Sequence, residues 1–362
     1  MSKVFEEVKK NFGFGCMRLP RIEEEIDFEE FNRMIDTFIE NGFNYFDTAH
    51  GYIEGRSEKA LRKCLVDRYP RDAYILANKL SNHHYNSHEE ILPLFESQLE
   101  ICGVDYFDFY LMHALNATSF EKYKKCRAFE TALEFKAQGR IKHLAISFHD
   151  KADVLDKILT EYPQIEAVQL QFNYLDYEDK DVEGRKCYEV CRKHDTPIIV
   201  MEPVKGGTLA AKLPDEAKKV FEDLGGGSPA SYAIRYAAGF EGVFMVLSGM
   251  GNMDMMNDNI SYMKDFKPLN KEELGAIDKV VEIFNAQKLI PCTACKYCME
   301  KCPMNIPIPE LFTTMNKRDL YEYSDGEGRI EDCIDCGACE EICPQNIEIR
   351  KHLKEAAKFI DE

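Results

Sequence analysis

Short apolar runs alternate with longer amphipathic segments along the first 265 residues of the chain. The runs are dense in Ile, Val, Leu and Phe without strict alternation, which is typical of strands buried on both faces of a parallel sheet. Eight of them recur roughly every 30 residues, the rhythm of strand–helix units that close into a (β/α)₈ TIM barrel. The predicted strands are Phe12–Met17, Asn44–Thr48, Tyr74–Leu80, Phe107–His113, Ile141–Ser147, Ala167–Phe172, Pro197–Glu202 and Val243–Ser248.

The segments between the runs predict helices. Phe28–Glu40 places its apolar residues on one stripe and stops at Asn41-Gly42, a typical helix end. The other predicted helices are Ser57–Val66, His88–Ile101, Phe120–Ala137 and Lys271–Ala286. An open doubly wound sheet is the alternative arrangement. It is disfavoured because eight units suit closure and no G-x-G-x-x-G follows the first strand.

The composition changes after the last of these helices. Long apolar runs become rare, and eight of the 14 cysteines lie between Cys292 and Cys343. We therefore predict two domains: a barrel over 1–287 and a smaller α+β domain over 288–362. An amphipathic helix at Ile349–Ile360 is expected to pack back on the barrel.

Two cysteine runs in the second domain share one spacing, C-x₂-C-x₂-C-x₃-C-P. This run binds the paired 4Fe–4S clusters of bacterial-type ferredoxins, in which the fourth Cys of each run ligates the other cluster. Four close cysteines can also bind structural zinc, but the doubled run with its trailing Cys-Pro favours the clusters. The predicted ligands are Cys292, Cys295, Cys298 and Cys343 for one cluster and Cys333, Cys336, Cys339 and Cys302 for the other.

Charge and hydropathy exclude several classes of partner. With 46 basic and 64 acidic residues the formal net charge is −18 and no basic tract is present, which argues against binding nucleic acid or anionic membranes. No apolar run approaches the ~20 residues of a membrane span. The start MSKVFEEVKKNF lacks the apolar core of a signal peptide. A reducing cytoplasm, consistent with an anaerobic cell, is the expected location.

Titratable side chains stand where the predicted strands end. Asp47 ends the second strand, with Tyr52 in the loop after it, and Lys79 and His113 end the next two. The carboxyl ends of barrel strands form one mouth, where the reactive groups of such barrels lie. An ammonium beside Tyr52 would lower the pKa of the phenol, and a carboxylate would hold that ammonium in place. Tyr52 is thus predicted to donate a proton while His113 orients a carbonyl oxygen.

These residues sit in segments that resemble a known family. GFGCMRLP (13–20), NYFDTAHGY (44–52), ANKL (77–80) and YLMH (110–113) resemble the aldo-keto reductase superfamily, over about residues 12–265. The barrel followed by two cluster runs resembles the ferredoxin-fused branch of that superfamily. The resemblance implies Asp47, Tyr52, Lys79 and His113 as the catalytic tetrad, with Tyr52 as general acid. It also implies a nicotinamide coenzyme across the barrel mouth.

The coenzyme positions match the family pattern less closely than the tetrad. Phe148 replaces the usual Asn after Ser147, and Met201 replaces a ring-stacking Tyr. Gly249 and Met255 stand where NADP-preferring relatives carry basic residues, so NADH is preferred over NADPH. The implied coenzyme-binding residues are Met17, Arg18, Ser147, Gln169, Met201, Pro203, Lys205, Gly206, Gly207, Ser248, Gly249, Asn252, Asp258 and Asn259.

Three functions fit these features. In the favoured one, the barrel reduces a carbonyl or activated double bond of a small organic substrate with hydride from a nicotinamide, coupled to electron transfer through the clusters. In the second, the clusters feed single electrons to the substrate or to a bound flavin, without nicotinamide. A ferredoxin or flavodoxin would supply those electrons. In the third, the barrel is a scaffold of an electron-transfer or regulatory protein. The second domain is expected to cover part of the mouth.

Overall fold

The structure of the protein is a computed structural model, which describes residues 5–287, 289–317 and 321–360. The predicted boundary at residue 288 and both chain ends lie outside the described residues. The described part of the barrel domain therefore begins at Phe5, and that of the second domain begins at Leu289. Among the described residues no helix combines the length and apolar character needed to cross a membrane.

Eight parallel strands close into a barrel, as the pattern of apolar runs predicts. Around the barrel the order is β1-β10-β9-β8-β7-β6-β5-β4, so β4 to β10 pair in chain order and β1 closes the barrel between β4 and β10. A two-stranded hairpin, β2-β3, lies outside the barrel. The strands are β1 (Phe12–Gly15), β2 (Arg21–Ile22), β3 (Glu25–Ile26), β4 (Tyr45–Asp47), β5 (Ile75–Leu80), β6 (Phe107–Leu115), β7 (Ile141–Phe148), β8 (Ala167–Gln171), β9 (Ile198–Met201) and β10 (Val243–Ser248).

The helices of the barrel match the amphipathic segments, with two exceptions. The segment predicted as one helix over Ser57–Val66 is an α-helix only as far as Leu61 and continues as a π-helix over Arg62–Val66. Phe28–Glu40 is one helix, begun by the Asp27 side chain, which accepts hydrogen bonds from two backbone N–H groups. The segment predicted as a single helix over Phe120–Ala137 is two helices, because Arg127 takes a left-handed conformation with φ of 54°. The helices are α1 (Phe28–Glu40), α2 (Arg56–Leu61), α3 (Ile91–Cys102), α4 (Ala117–Lys125), α5 (Ala128–Ala137), α6 (Ala152–Glu161), α7 (Gly184–Lys193), α8 (Asp215–Glu222), α9 (Pro229–Ala238), α10 (Met253–Met263) and α11 (Lys271–Gln287).

The second domain builds its own small apolar core. Its helices are α12 (Tyr297–Lys301), α13 (Ile308–Lys317), α14 (Ala338–Glu341) and α15 (Ile349–Ile360). Ile349 and Leu353 of α15 pack in that core with Ile306 and Phe312. The expectation that this helix packs back on the barrel is therefore wrong. Its apolar stripe instead completes the cysteine domain, whose core is too small to leave that stripe unused.

The closed bottom of the barrel carries a half-buried charge network. His143 on β7 lies between two carboxylates, with Nε2 2.7 Å from Glu7 Oε1 and Nδ1 3.0 Å from Glu166 Oε1. Glu166 also accepts a bond from the Lys136 ammonium and one from the backbone N–H of Leu144. These donors lower the pKa of Glu166 from 4.5 to about 2, although burial opposes the shift. The network ties the N-terminal segment to the barrel.

Replacing Glu166 with Gln is expected to destabilise the protein by about 1–3 kcal/mol at neutral pH, because the ionised form accepts these bonds. A carboxyl whose folded-state pKa is depressed gives stability that is present above its unfolded pKa. That stability is lost as pH falls from 4.5 towards about 2. Thermal unfolding of both proteins across this range should show the difference between them shrinking. Glu96→Gln, at a partly exposed pair with Arg140, is the control and should have little effect; an equal effect there would contradict the prediction.

Candidate active site

Consecutive strands bring the predicted catalytic groups to one end of the barrel. Asp47 ends β4, Lys79 lies one residue from the end of β5, and His113 lies near the end of β6. Ser147 on β7 and Gln169 on β8 are paired in register. Tyr52 follows β4 in a turn, where it is half-buried. The structure therefore gathers all four residues of the predicted tetrad at the mouth.

Lys79 and Asp47 form a buried ion pair at the base of the site. The Lys79 ammonium donates to Asp47 Oδ1 at 2.6 Å and to the backbone carbonyl of Thr48 at 2.7 Å. Burial raises the pKa of Asp47 and lowers that of Lys79, while their mutual attraction opposes both shifts. Each residue is thus held in place by the other.

Tyr52 stands above this pair and keeps its proton. The Lys79 ammonium lies 4.8 Å from the centre of the Tyr52 ring, over its face, and its hydrogen bonds go to Asp47 and Thr48. Burial raises the pKa of Tyr52 well above its usual value, and Asp47 adds to the shift while Arg18 opposes it. The expectation that the ammonium lowers this pKa is therefore wrong for this structure. A phenol that stays protonated is a proton donor, not a base.

His113 is a neutral hydrogen-bonding group beside Tyr52. Its ring centre lies 6.0 Å from that of Tyr52, and its Nδ1 lies 2.6 Å from the Ser81 hydroxyl. Burial, with Lys79 adding, lowers the pKa of His113 well below its usual value. A neutral imidazole can orient a carbonyl oxygen by donating one N–H, but it carries no spare proton near neutral pH.

The residues implied to bind the nicotinamide end are present, but they differ in whether their side chains already have hydrogen-bond partners. Ser147 Oγ accepts a bond from the backbone N–H of Ala114 at 2.8 Å. Beside it, the buried Gln169 Oε1 has no hydrogen-bond partner among the described residues. Met17 and Met201 are half-buried and Pro203 is buried.

Most of the side chains implied to bind the adenosine end already have hydrogen-bond partners within the barrel domain. Asn259 donates to Ser248 Oγ at 2.9 Å, and Asp258 accepts from the Ser228 hydroxyl at 2.6 Å. The Asn252 side chain caps the start of α10, where Glu30 Oε1 also accepts from the Met253 N–H at 2.9 Å. Gly249 is exposed. A carboxylate already lies at a helix start that could otherwise attract a phosphate.

The second domain covers the segment expected to approach the pyrophosphate. Lys205 is buried in an ion pair with Asp176 and donates to Gln345 Oε1 at 3.2 Å. A Cβ added to Gly206 would lie 2.4 Å from the backbone oxygen of Thr293. Arg18 donates to that same oxygen at 3.3 Å. Within the Lys205-Gly206-Gly207 segment, Lys205 and Gly206 are therefore covered by the second domain.

A reciprocal pair of amides locks the two domains together. Gln171 Nε2 donates to Gln345 Oε1 at 2.9 Å, and Gln345 Nε2 donates to Gln171 Oε1 at 2.9 Å. Gln171 also donates to Asp176 at 2.8 Å, and both amides are buried. Gln345 stands two residues after Cys343. Sequence reasoning missed this contact and that of Thr293, and the single sequence holds no signal that would have found either.

The eight cysteines of the two runs line two separate cavities. One is lined by Cys292, Cys295, Cys298 and Cys343, and the other by Cys302, Cys333, Cys336 and Cys339. Each cavity thus takes three cysteines from one run and the fourth from the other, as the ligand rule predicts. Among the described residues no three His, Cys, Asp or Glu side chains are grouped closely enough to hold a single metal ion. Thiolates around each cavity are the donor set of a 4Fe–4S cluster.

The two cavities differ in their surroundings. The first is also lined by Thr293 and Gln345, which contact the barrel, so it lies against the mouth. The second is lined by Cys336, which is exposed, and by Ile334, which is 61% exposed. One cavity therefore faces the barrel and the other faces solvent.

Comparison with known proteins agrees with this architecture. The model of the aldo/keto reductase family matches residues 11–282, three quarters of the chain. The chain belongs to the aldo/keto reductase family. A second model, the 4Fe-4S dicluster domain, matches residues 291–348 and includes all eight cysteines of the two runs. The protein is therefore an aldo/keto reductase oxidoreductase that acts on a small molecule and carries an iron–sulfur domain.

Known relatives cover the barrel at low identity. An uncharacterized oxidoreductase, YqkF, of Bacillus subtilis is 24% identical over 73% of this chain and 90% of its own length. The 9,11-endoperoxide prostaglandin H2 reductase of Trypanosoma cruzi is 25% identical over 67% of this chain and 80% of its own. Among solved structures, the holo form of aldo-keto reductase AKR11C1 from Bacillus halodurans is 25% identical with a TM-score of 0.59, covering 75% of this chain and 92% of that one. An aldo-keto reductase of Klebsiella pneumoniae in complex with NADPH shares the fold at 18% identity and a TM-score of 0.59, covering 76% of this chain and 95% of that one.

Replacing Gly206 with Ala tests the covered segment. The new methyl group would meet the Thr293 backbone, so we expect it to cost about 1–3 kcal/mol more than Gly207→Ala, as overpacking does. Both glycines have positive φ, but the Gly207 position has no atom within 4 Å of an added Cβ. Gly207→Ala therefore carries the same backbone penalty without the collision. Equal melting temperatures for the two variants in anaerobic thermal unfolding would show that the domains do not meet there.

Proposed function

We propose that this protein reduces a carbonyl or activated double bond of a small organic substrate with electrons from its own iron–sulfur domain, and with Tyr52 as proton donor. The observation that carries the proposal is the contact of the Thr293 backbone with Gly206. A dinucleotide across the mouth needs that glycine segment for its pyrophosphate, whereas a small substrate does not. The carboxylate of Glu30 at the start of α10 further disfavours a phosphate.

The positions of the two cavities support a direction for the electrons. Clusters held there would supply electrons one at a time, and a pair of them can hold two. The cavity against the mouth suits delivery to the substrate, and the exposed Cys336 and Ile334 suit contact with an external donor such as a ferredoxin or flavodoxin. The exposure of Cys336 supports a second site that a docked partner could reach.

The chain's own residues supply the proton chemistry. Tyr52 stays protonated because desolvation and the nearby Asp47 raise the pKa of its phenol, and it would release its proton to an oxygen on which negative charge develops. Arg18 is the cation whose attraction for the phenolate that remains opposes the rise of this pKa. The Lys79 ammonium over the Tyr52 ring holds Asp47 in place. Neutral His113 would orient the same substrate oxygen by a hydrogen bond.

A nicotinamide-coupled reductase is the second candidate, and one observation favours it. The unpartnered Gln169 Oε1, beside Ser147, could accept the N–H of a nicotinamide carboxamide. In this candidate NADH is preferred over NADPH, because Gly249 and Met255 offer no cation to a 2′-phosphate. The second domain would have to move away from Gly206 to admit the dinucleotide.

Anaerobic reduction separates the two candidates. The holoenzyme is mixed in turn with reduced methyl viologen, NADH and NADPH, together with benzaldehyde, cyclohexenone or menadione. We expect turnover with viologen alone and no bleaching of the cluster absorbance by either nucleotide. Bleaching and turnover that depend on NADH would move the assignment to the second candidate. The visible spectrum of the purified protein also reports whether a flavin is bound.

A further inference from the structure

A reductase fed by single electrons must bring two protons to the substrate as well as two electrons. Reduction of a carbonyl breaks the C–O π bond and adds two electrons and two protons, forming one C–H and one O–H bond. A hydride donor would bring the hydrogen for carbon along with the electrons, but an iron–sulfur reductant brings electrons only. The proposed function therefore needs a source for a second proton at the mouth, and the inference that a side chain supplies it rests on that function.

Most titratable groups of the mouth are poorly suited to that task. His113 is neutral, and the Lys79 ammonium is committed to Asp47 and Thr48. His83 and His84 lie in an exposed loop after β5, where partial desolvation and neighbouring positive charge lower the pKa of each. These imidazoles carry no proton to give near neutral pH.

His50 differs from them because a buried carboxylate holds it. Its Nδ1 lies 2.8 Å from Glu58 Oε2, and the Glu58 side chain is fully buried on α2. Glu58 also accepts a bond from Asn78 at 2.7 Å, which fixes the carboxylate in place. This hydrogen bond raises the pKa of His50, with burial opposing, so the ring is charged at a higher pH than an ordinary imidazole. An N–H on Nε2 then remains available to donate.

The place of His50 fits a donor to substrate. It precedes Tyr52 by two residues in the turn after β4, and its side chain keeps 23% of its surface exposed. The groups around it are Glu58 from α2 and the exposed ring of His84, which meets it edge-on at 4.8 Å. Water at that exposed side could return a proton after each turnover. We propose that the His50–Glu58 pair is the second proton donor of the active site, supplying the substrate carbon while Tyr52 supplies the oxygen.

A purely structural pair would behave differently from a donor. If His50 only balanced the buried charge of Glu58, its loss would lower stability and leave the pH profile of turnover unchanged. The protein contains a matched pair for comparison, because His143 is likewise held by Glu166 but lies at the closed bottom of the barrel. His143→Gln is therefore the control for losing a carboxylate-paired imidazole.

The test uses the anaerobic holoenzyme with reduced methyl viologen and benzaldehyde in D₂O and in water. In the wild type we expect deuterium at the carbon of benzyl alcohol in D₂O and a rate that falls as pH rises through the raised pKa of His50. His50→Gln and Glu58→Gln should each lose this alkaline fall and about 10²-fold or more in rate near neutral pH, with iron content unchanged. His143→Gln should keep the wild-type profile.

The outcomes separate the two proposals. Deuterium at carbon together with an unchanged pH profile in His50→Gln would overturn the second donor and leave the proposed function standing. Carbon that carries no deuterium, with a rate that depends on NADH, would overturn the proposed function itself. NMR titration of the His50 ring needs no turnover. A ring pKa at or below its ordinary value, or one unchanged in Glu58→Gln, would also overturn the second donor.

Discussion

Replacing Tyr52 with Phe is expected to lower the turnover number by about 10²–10⁴, the usual contribution of a positioned general acid. The phenol keeps its proton because burial raises its pKa, and the substitution removes that proton without removing the ring. Iron content and melting temperature should stay close to those of the wild type. The measurement is steady-state reduction of benzaldehyde or menadione by the anaerobic holoenzyme with reduced viologen.

Tyr45→Phe provides the matched control for Tyr52→Phe. Tyr45 lies on β4 inside the barrel, and its buried hydroxyl has no hydrogen-bond partner among the described residues. Its loss should leave the rate unchanged and the stability the same or slightly higher. Full activity in Tyr52→Phe would instead favour a barrel that serves as a scaffold for electron transfer, since a scaffold needs no acid.

The second large effect concerns the crossed ligands of the cysteine runs. Cys343 belongs to the second run but lines the cavity of the first, against the mouth. Cys343→Ala should therefore lose the same cluster as Cys292→Ala, with about four of the eight irons that two clusters contain, and should abolish viologen-driven turnover. The paramagnetic resonance spectra of these two reduced variants should match.

Cys302→Ala and Cys333→Ala form the complementary pair, because both line the solvent-facing cavity. Their spectra should match each other and differ from those of the first pair. If Cys343→Ala instead resembled Cys333→Ala, each run would hold its own cluster and the crossed assignment would be wrong. A variant that binds no iron at all would indicate that one cluster is needed for the other to form, and iron content measured during reconstitution would separate that case.

Much of the barrel follows from local pattern. A strand buried on both faces needs an unbroken apolar run, and each of the eight runs contains a barrel strand with ends within a few residues of those predicted. The break at Arg127 was not visible, because a left-handed non-glycine residue is held by its surroundings rather than by its own preference. The packing of α15 was missed for a related reason. An amphipathic stripe shows that a helix is buried, but not against which surface.

The candidate site likewise has a part that can be predicted from the sequence and a part that cannot. Asp47, Lys79 and His113 could be placed at one mouth because parallel strands bring their ends together. The direction in which the pKa of Tyr52 shifts could not be predicted from the sequence, because it depends on how deeply the phenol is buried. Contacts between Thr293 and Gly206, or between Gln171 and Gln345, join residues far apart in sequence. These contacts depend on how the folded surfaces of the two domains fit together, which no short segment of the sequence encodes.

The amide pair that joins the domains has a consequence for how the protein responds to ionic strength. Among the described residues, no ion pair joins the two domains. The hydrogen bonds that cross between them include the neutral amide pair, and the charged donors Lys205 and Arg18 meet only uncharged oxygens of the second domain. Dissolved salt screens attraction between exposed charges but has little hold on buried neutral dipoles. The rate of electron transfer from the iron–sulfur domain to the barrel should therefore stay the same in concentrated salt. Any slowing that salt does cause can then be assigned to the encounter with an external donor.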